Sequence, residues 1–84
     1  MKKIAVISAV LECPHDAQKA FNEVISDNAD IVKGRFGIPF QSEDIGIVSV
    51  TVVAGMDRID AITESLDKIP NVSVKTTVSK KEVN

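Results

Sequence analysis

The 84-residue sequence has no tryptophan or tyrosine, and Phe21, Phe36 and Phe40 are its only aromatic residues. Without interleaved aromatic and basic residues there is no stacking platform for single-stranded nucleic acid. Net charge is −2 at pH 7, so no overall basic field draws in a polyanion. A single cysteine, Cys13, cannot close an intramolecular disulfide, which excludes a secreted, disulfide-stapled scaffold. No apolar run reaches the roughly 20 residues needed to cross a bilayer. The opening Met1-Lys2-Lys3-Ile4-Ala5-Val6-Ile7 superficially resembles a signal peptide, but Ser8, Glu12 and Pro14 interrupt it and no small-residue cleavage site follows. The expected compartment is the cytoplasm, with no membrane and no direct nucleic-acid partner. Nucleophile elbows, phosphate-binding loops ending in Gly-Lys-Ser/Thr and His-Glu-x-x-His zinc motifs are also missing.

What is present is a regular alternation of patterns. Residues 3–11 are apolar at both parities, as in a central strand covered on both faces. Pro14 stops it. Asp16 is the expected N-cap of a helix from Ala17 to Ser26, with Ala17, Ala20, Phe21, Val24 and Ile25 on one stripe and Asp27-Asn28 closing it. Residues 30–36 read as a second strand and 37–44 as a loop rich in breakers. The clearest strand is 45–54, with Val48, Val50 and Val52 on one face and Ile47, Ser49, Thr51 and Val53 on the other. Asp57 is the expected cap of a second helix carrying Ile59, Ile62, Leu66 and Ile69, which Pro70-Asn71 ends. Val72, Val74, Thr76 and Val78 then alternate with Ser73, Lys75 and Thr77 in a fourth strand, and residues 79–84 read as a frayed polar tail.

The order βαββαβ predicts one α+β domain over residues 1–84 of the split-βαβ, ferredoxin-like type. Right-handed crossovers give a four-stranded antiparallel sheet in order 4-1-3-2 with both helices on one face. The other face would carry Ile47, Ser49, Thr51 and Val53 beside the Val6/Ser8/Val10 row of the first strand; the Ala5/Ile7/Ala9 row is the alternative. Flanking strands would add Lys33, Arg35, Ser73, Lys75 and Thr77. So small a domain has a modest core, so this bare face is expected to associate with another copy, as a dimer or tetramer, through the face or the sheet edges. A semi-apolar face open to solvent is the simpler alternative.

Chemistry-bearing residues are few. Cys13 and His15 flank Pro14, with Asp16 next. A nucleophile needs a base within reach and a third group to orient it, and nothing completes such a set, so no enzyme is expected. Two subunits pooling Cys13 and His15 would make a four-ligand metal site. The plainer reading buries Cys13 as a small hydrophobe and starts a helix at His15-Asp16. Gly34-Arg35-Phe36-Gly37-Ile38-Pro39 places an arginine fork between two glycines; it reads either as a surface arginine on a hairpin bulge or as a group facing a carboxylate or phosphate.

Ile31-Val32-Lys33-Gly34-Arg35-Phe36-Gly37-Ile38-Pro39-Phe40 resembles the second-strand signature of the iron-only hydrogenase system regulators. Ile47-Val48-Ser49-Val50 and Leu66-Asp67-Lys68-Ile69-Pro70-Asn71-Val72-Ser73-Val74-Lys75 resemble later segments of that family. The resemblance implies an ACT-like fold, similar to the C-terminal sensing domain of nickel-responsive repressors, whose domains associate through their sheets and bind small effectors at subunit boundaries. It departs from those repressors in lacking a DNA-binding segment before the first strand and in having one histidine, so their nickel site does not carry over. It names no cofactor. The implied ligand-binding residues are Cys13, His15 and Asp16 of one subunit and Gly34, Arg35, Gly37, Ile38 and Pro39 of its neighbour, with Arg35 facing an anion. A structural adaptor docking another protein without a small ligand is the competing expectation.

Overall fold

The computed structural model describes residues 1–40 and 44–83. Four strands and two helices follow one another as β1 (Lys2–Glu12), α1 (Pro14–Asp27), β2 (Val32–Phe40), β3 (Ile45–Ala54), α2 (Met56–Asp67) and β4 (Val72–Val83). The strands form one antiparallel sheet in order β2-β3-β1-β4, the predicted arrangement written from the opposite edge.

β1 lies in the middle of the sheet, as its two-sided apolarity predicts, but within the chain helices cover only one of its sides, not both. Ala5, Ile7, Ala9 and Leu11 are buried beneath the helices, whereas Ile4, Val6 and Val10 remain 38–40% exposed on the other side. The register puts Val50 and Val52 of β3 in the buried row, opposite Ile7 and Ala5. α1 adds Ala17, Phe21 and Ile25, and α2 adds Ile59, Ile62 and Leu66, to one apolar cluster. No charged or polar side chain is buried among the described residues. The stripe spacing of both helices is thus a core-facing stripe, as the sequence pattern predicts. Thr63 on α2 and Thr76 on β4 share a hydrogen bond of 2.9 Å, which satisfies the two half-buried hydroxyls at the helix–sheet seam.

β2 starts at Val32 rather than residue 30, and α2 stops at Asp67, so Ile69 packs from the following turn. The element ends differ further from the sequence expectation in four places. α1 begins at Pro14, not Ala17. Cys13 is its N-cap and Asp16 lies in the first turn, where its charge complements the helix dipole without capping it. Proline suits a first helical position because its missing N–H has no partner there. α2 likewise has Gly55 rather than Asp57 as its N-cap, with Asp57 in the first turn. The stretch Gly37 to Phe40, expected as loop, continues β2; Pro39 is tolerated because β2 is an edge strand. Of the expected loop, Gln41, Ser42 and Glu43 lie outside the described residues.

The fourth difference is the expected tail. β4 runs to Val83, and Lys2 and Lys3 pair with Val83 and Glu82 after an irregularity between Lys3 and Ala5. Ser79 bridges that irregularity: its hydroxyl accepts the Ile4 N–H at 3.1 Å and donates to the Lys81 carbonyl at 2.9 Å. Side-chain bonds here stand in for the ladder, which a pattern of alternating polarity does not reveal. Ser79→Ala is expected to cost about 1 kcal/mol locally. Amide hydrogen exchange should show faster exchange confined to Ile4 and residues 80–83, with the core unchanged.

The turn from α2 to β4 is read directly from Pro70-Asn71. Val72 N–H bonds Ile69 C=O at 3.2 Å, and Asn71 takes φ 68°, as a proline–asparagine turn requires. The Asn71 carbonyl then accepts the Glu12 N–H at 2.8 Å, which ties the end of β1 to this turn.

Candidate functional site: the bare sheet face and its two ends

The face that the helices leave uncovered is built by register. Val6, Ser8 and Val10 of β1 stand opposite Thr51, Ser49 and Ile47 of β3 and opposite Thr77, Lys75 and Ser73 of β4. On the far side of β3, Gly34, Phe36 and Ile38 stand opposite Thr51, Ser49 and Ile47. The favoured Val6/Ser8/Val10 row is therefore the open one. Of the expected β2 cations, Arg35 is not there. Arg35 pairs with Val50, on the helix side, and the uncovered face carries Phe36 and Ile38 in its place, 65% and 43% exposed.

A bulge explains the exchange. Val32 pairs with Val52 and Gly34 with Thr51, so Lys33 is an extra residue and the strand changes parity across it. One inserted residue sends every later side chain to the opposite face. Phe36 and Ile38 were the residues to find; their shared parity with Gly34 was visible in the sequence, but the bulge that assigns that parity to the open face was not.

Arg35 is held by α1. Its guanidinium lies 5.9 Å from the centroid of Phe21, and its Nη2 donates to Asn22 Oδ1 at 3.0 Å. The fork is thus fixed beside α1 at the β2 edge. Gly34 and Gly37 have no positive φ; an added Cβ at Gly34 would meet nothing and at Gly37 only ordinary contact, so neither glycine is demanded by the chain's own backbone or packing.

Cys13 is exposed, against the plainer expectation of a buried thiol, and its backbone is left-handed at φ 52°. A residue before proline ordinarily stays extended, so this turn holds about 1–2 kcal/mol of strain. His15 and Asp16 are exposed beside it. Among the described residues no three metal-ligating side chains gather. Cys13 follows Glu12, which pairs with Ile45, while Pro39 pairs with Gly46 and Ile38 with Ile47. The Cys13–Asp16 turn and the Ile38–Pro39 segment therefore share one end of the sheet, two strand spacings or roughly 10 Å apart; Gly34 and Arg35 sit farther along β2. Within one chain the expected ligand residues do not converge.

At the opposite end, Arg58 of α2 makes a two-pronged ion pair with Asp30, Nη1–Oδ2 2.8 Å and Nη2–Oδ1 2.9 Å, and Nη2 also reaches Asn28 Oδ1 at 3.2 Å. The hydrogen bond from Arg58 holds the Asp30 carboxyl below its usual range; desolvation, the next largest effect, opposes it, and the arginine charge adds to the lowering. A carboxyl with a lowered folded-state pKa binds fewer protons when folded, so its stabilisation is present above the unfolded pKa and disappears as pH falls through the folded one. The stability difference between the protein and Asp30→Asn should therefore shrink on acidification below about pH 4. Paired denaturation curves across that range measure it; a constant difference would show that the ion pair contributes nothing.

No curated protein matches the chain by sequence. Its fold superposes on the uncharacterized protein TM1266 from Thermotoga maritima with a TM-score of 0.91 at 26% identity, covering 95% of this chain and all of that one. An unknown protein from Galdieria sulphuraria (TM-score 0.72, 13% identity) shares the fold; it covers 99% of this chain, which spans 48% of that longer one. The C-terminal domain of the MgtC protein from Mycobacterium tuberculosis shares it as well (TM-score 0.61, 14% identity), over 93% of this chain and 88% of that one. The model of the TM1266-like family, described as iron-only hydrogenase system regulators, matches residues 3–76. The chain belongs to that family.

Proposed function

We propose that the chain is a regulatory module that acts by binding rather than catalysis, assembles through its bare sheet face, and senses a small effector where copies meet. The observation that carries this reading is the exposed apolar row Ile4, Val6, Val10, Phe36 and Ile38 on that face. Four strands of 9 to 12 residues present a projected area of roughly 650 Å², near the lower end of what each partner gives to a specific interface. Between the apolar positions lie Ser8, Ser49, Thr51 and Thr77, whose hydroxyls both donate and accept. A surface of that kind suits its own two-fold copy, because an isologous contact must be self-complementary.

Assembly supplies what one chain lacks. The Cys13–Asp16 turn and the Ile38–Pro39 segment lie at one end of the sheet, and a second copy would add its own segment there, with Arg35 reaching from the β2 edge. Output then passes through a change of assembly or a protein partner. Light scattering with and without a panel of amino acids, nucleotides and metal ions tests this reading. A multimer whose mass or stability responds to one class supports sensing. A single-chain mass throughout, with a stoichiometric protein partner recovered on the Phe36 edge, would replace it with the adaptor reading.

A further inference from the structure

At the end of the sheet remote from Cys13, a cavity of about 420 Å³ opens between the start of β1, the bulge of β2, the end of β3 and the first turn of α2. We propose that it binds a small dianion, either a phosphate monoester or a dicarboxylate. The proposal does not depend on the assembly or on the boundary site described above.

Three cations and one acid line the cavity: Lys2, Lys33, Arg58 and Asp30. Three positive charges less one negative leave +2 there, on a chain whose net charge is −2. This local excess is opposite in sign to the whole molecule, so it is a property of the place. The bulge makes it so. Lys33 is the extra residue between Val32 and Gly34, and bulges re-aim the side chains they carry. Arg58 is already fixed by Asp30 and Asn28, so little order is lost when a ligand meets it. Among the described residues Lys2 and Lys33 make no ion pair, so both charges await a partner. Asp57, the acid of the α2 first turn, does not line the cavity. Ile31, Val53 and Ala54 give the cavity an apolar side, and low-dielectric surface there strengthens the attraction of an anion to the cations opposite. The volume suits a small ligand rather than a macromolecule.

Amide chemical shifts of the whole chain, titrated with inorganic phosphate, with succinate and with acetate, test the inference. Saturating shifts at Lys33, Gly55 and Arg58 with phosphate or succinate at millimolar concentration, and none with acetate, are expected. Phosphate acting alone assigns the phosphoryl class; succinate acting alone assigns the dicarboxylate class. Lys33→Glu and Lys2→Glu should each weaken binding by about fivefold or more while leaving the spectrum of the core unchanged. Shifts that do not saturate, or that appear equally at Lys19 and Lys75 away from the cavity, would overturn it, as would unaltered affinity in both variants. Failure here would leave the assembly intact, and a single-chain mass would leave this cavity intact, so the two readings fail separately.

Discussion

Val6→Lys should reduce the proposed assembly to single chains without unfolding them. Val6 is 39% exposed within the chain and sits at the middle of the bare face, between Thr51 on β3 and Thr77 on β4. On an isolated chain a lysine there reaches water, and an exposed substitution changes stability by no more than about 0.5 kcal/mol. Across a two-fold interface the same residue buries one ammonium from each copy without an acid to meet it. The nearby charged group on that face, Lys75 opposite Ser8, is also a cation. An uncompensated buried charge costs about 3–5 kcal/mol, so two copies weaken association by more than about 10,000-fold. Val6→Thr keeps the shape and should retain assembly. Sedimentation of both variants, with circular dichroism as the check on folding, decides the matter; an unchanged mass in Val6→Lys would remove Val6 from any interface.

The largest expected loss of stability comes from Phe21→Ala. Phe21 is 1% exposed and is the bulkiest side chain that α1 commits to the core, flanked there by Ala17 and Ile25. Its removal leaves a cavity that the sheet residues of the same cluster, Ile7, Val50 and Val52, cannot readily fill. Such a truncation costs about 3–5 kcal/mol. A domain of this length holds only about 4–13 kcal/mol in total, so a fall in Tm of more than about 12 °C is expected. The same change removes the ring beneath Arg35. Arg35→Ala alone should cost only about 0.5–1 kcal/mol, and the double variant should cost less than the sum because the stacking is lost once. Thermal denaturation of the three proteins measures this, and a loss under 1 kcal/mol in Phe21→Ala would show that α1 does not depend on its largest anchor.

The amino-acid pattern was most informative where one periodicity governed a whole element. The double-sided apolarity of 3–11 placed β1 at the centre, and the Ser8 row could be assigned to the open side because a hydroxyl is easier to leave half-buried. The stripes of both helices were legible for the same reason. The pattern failed where a single backbone event intervened. The bulge at Lys33 reversed the faces of β2, which moved Arg35 under the influence of α1 and exposed Phe36. The Ser79 hydroxyl carried β4 past an irregularity where polarity alone suggested an end. Proline at the first turn of α1 displaced the capping role from Asp16 to the residue before it. Arg58 and Asp30, far apart in sequence and each unremarkable alone, gave no signal until folding set them against each other. The bulge carries over to the candidate site: Arg35 lies on the helix side of its strand, not on the open face that the alternation of residues 30–36 implies.

Methyl relaxation by a soluble gadolinium chelate tests most directly whether a second copy covers the bare face. Val6 on that face and Met56 on the helix side have nearly equal exposure within one chain, 39% and 38%. If copies meet face to face, the methyls of Val6, Val10 and Ile38 will be shielded while those of Met56 and Met1 relax rapidly. Equal relaxation at Val6 and Met56 at every protein concentration would contradict the account.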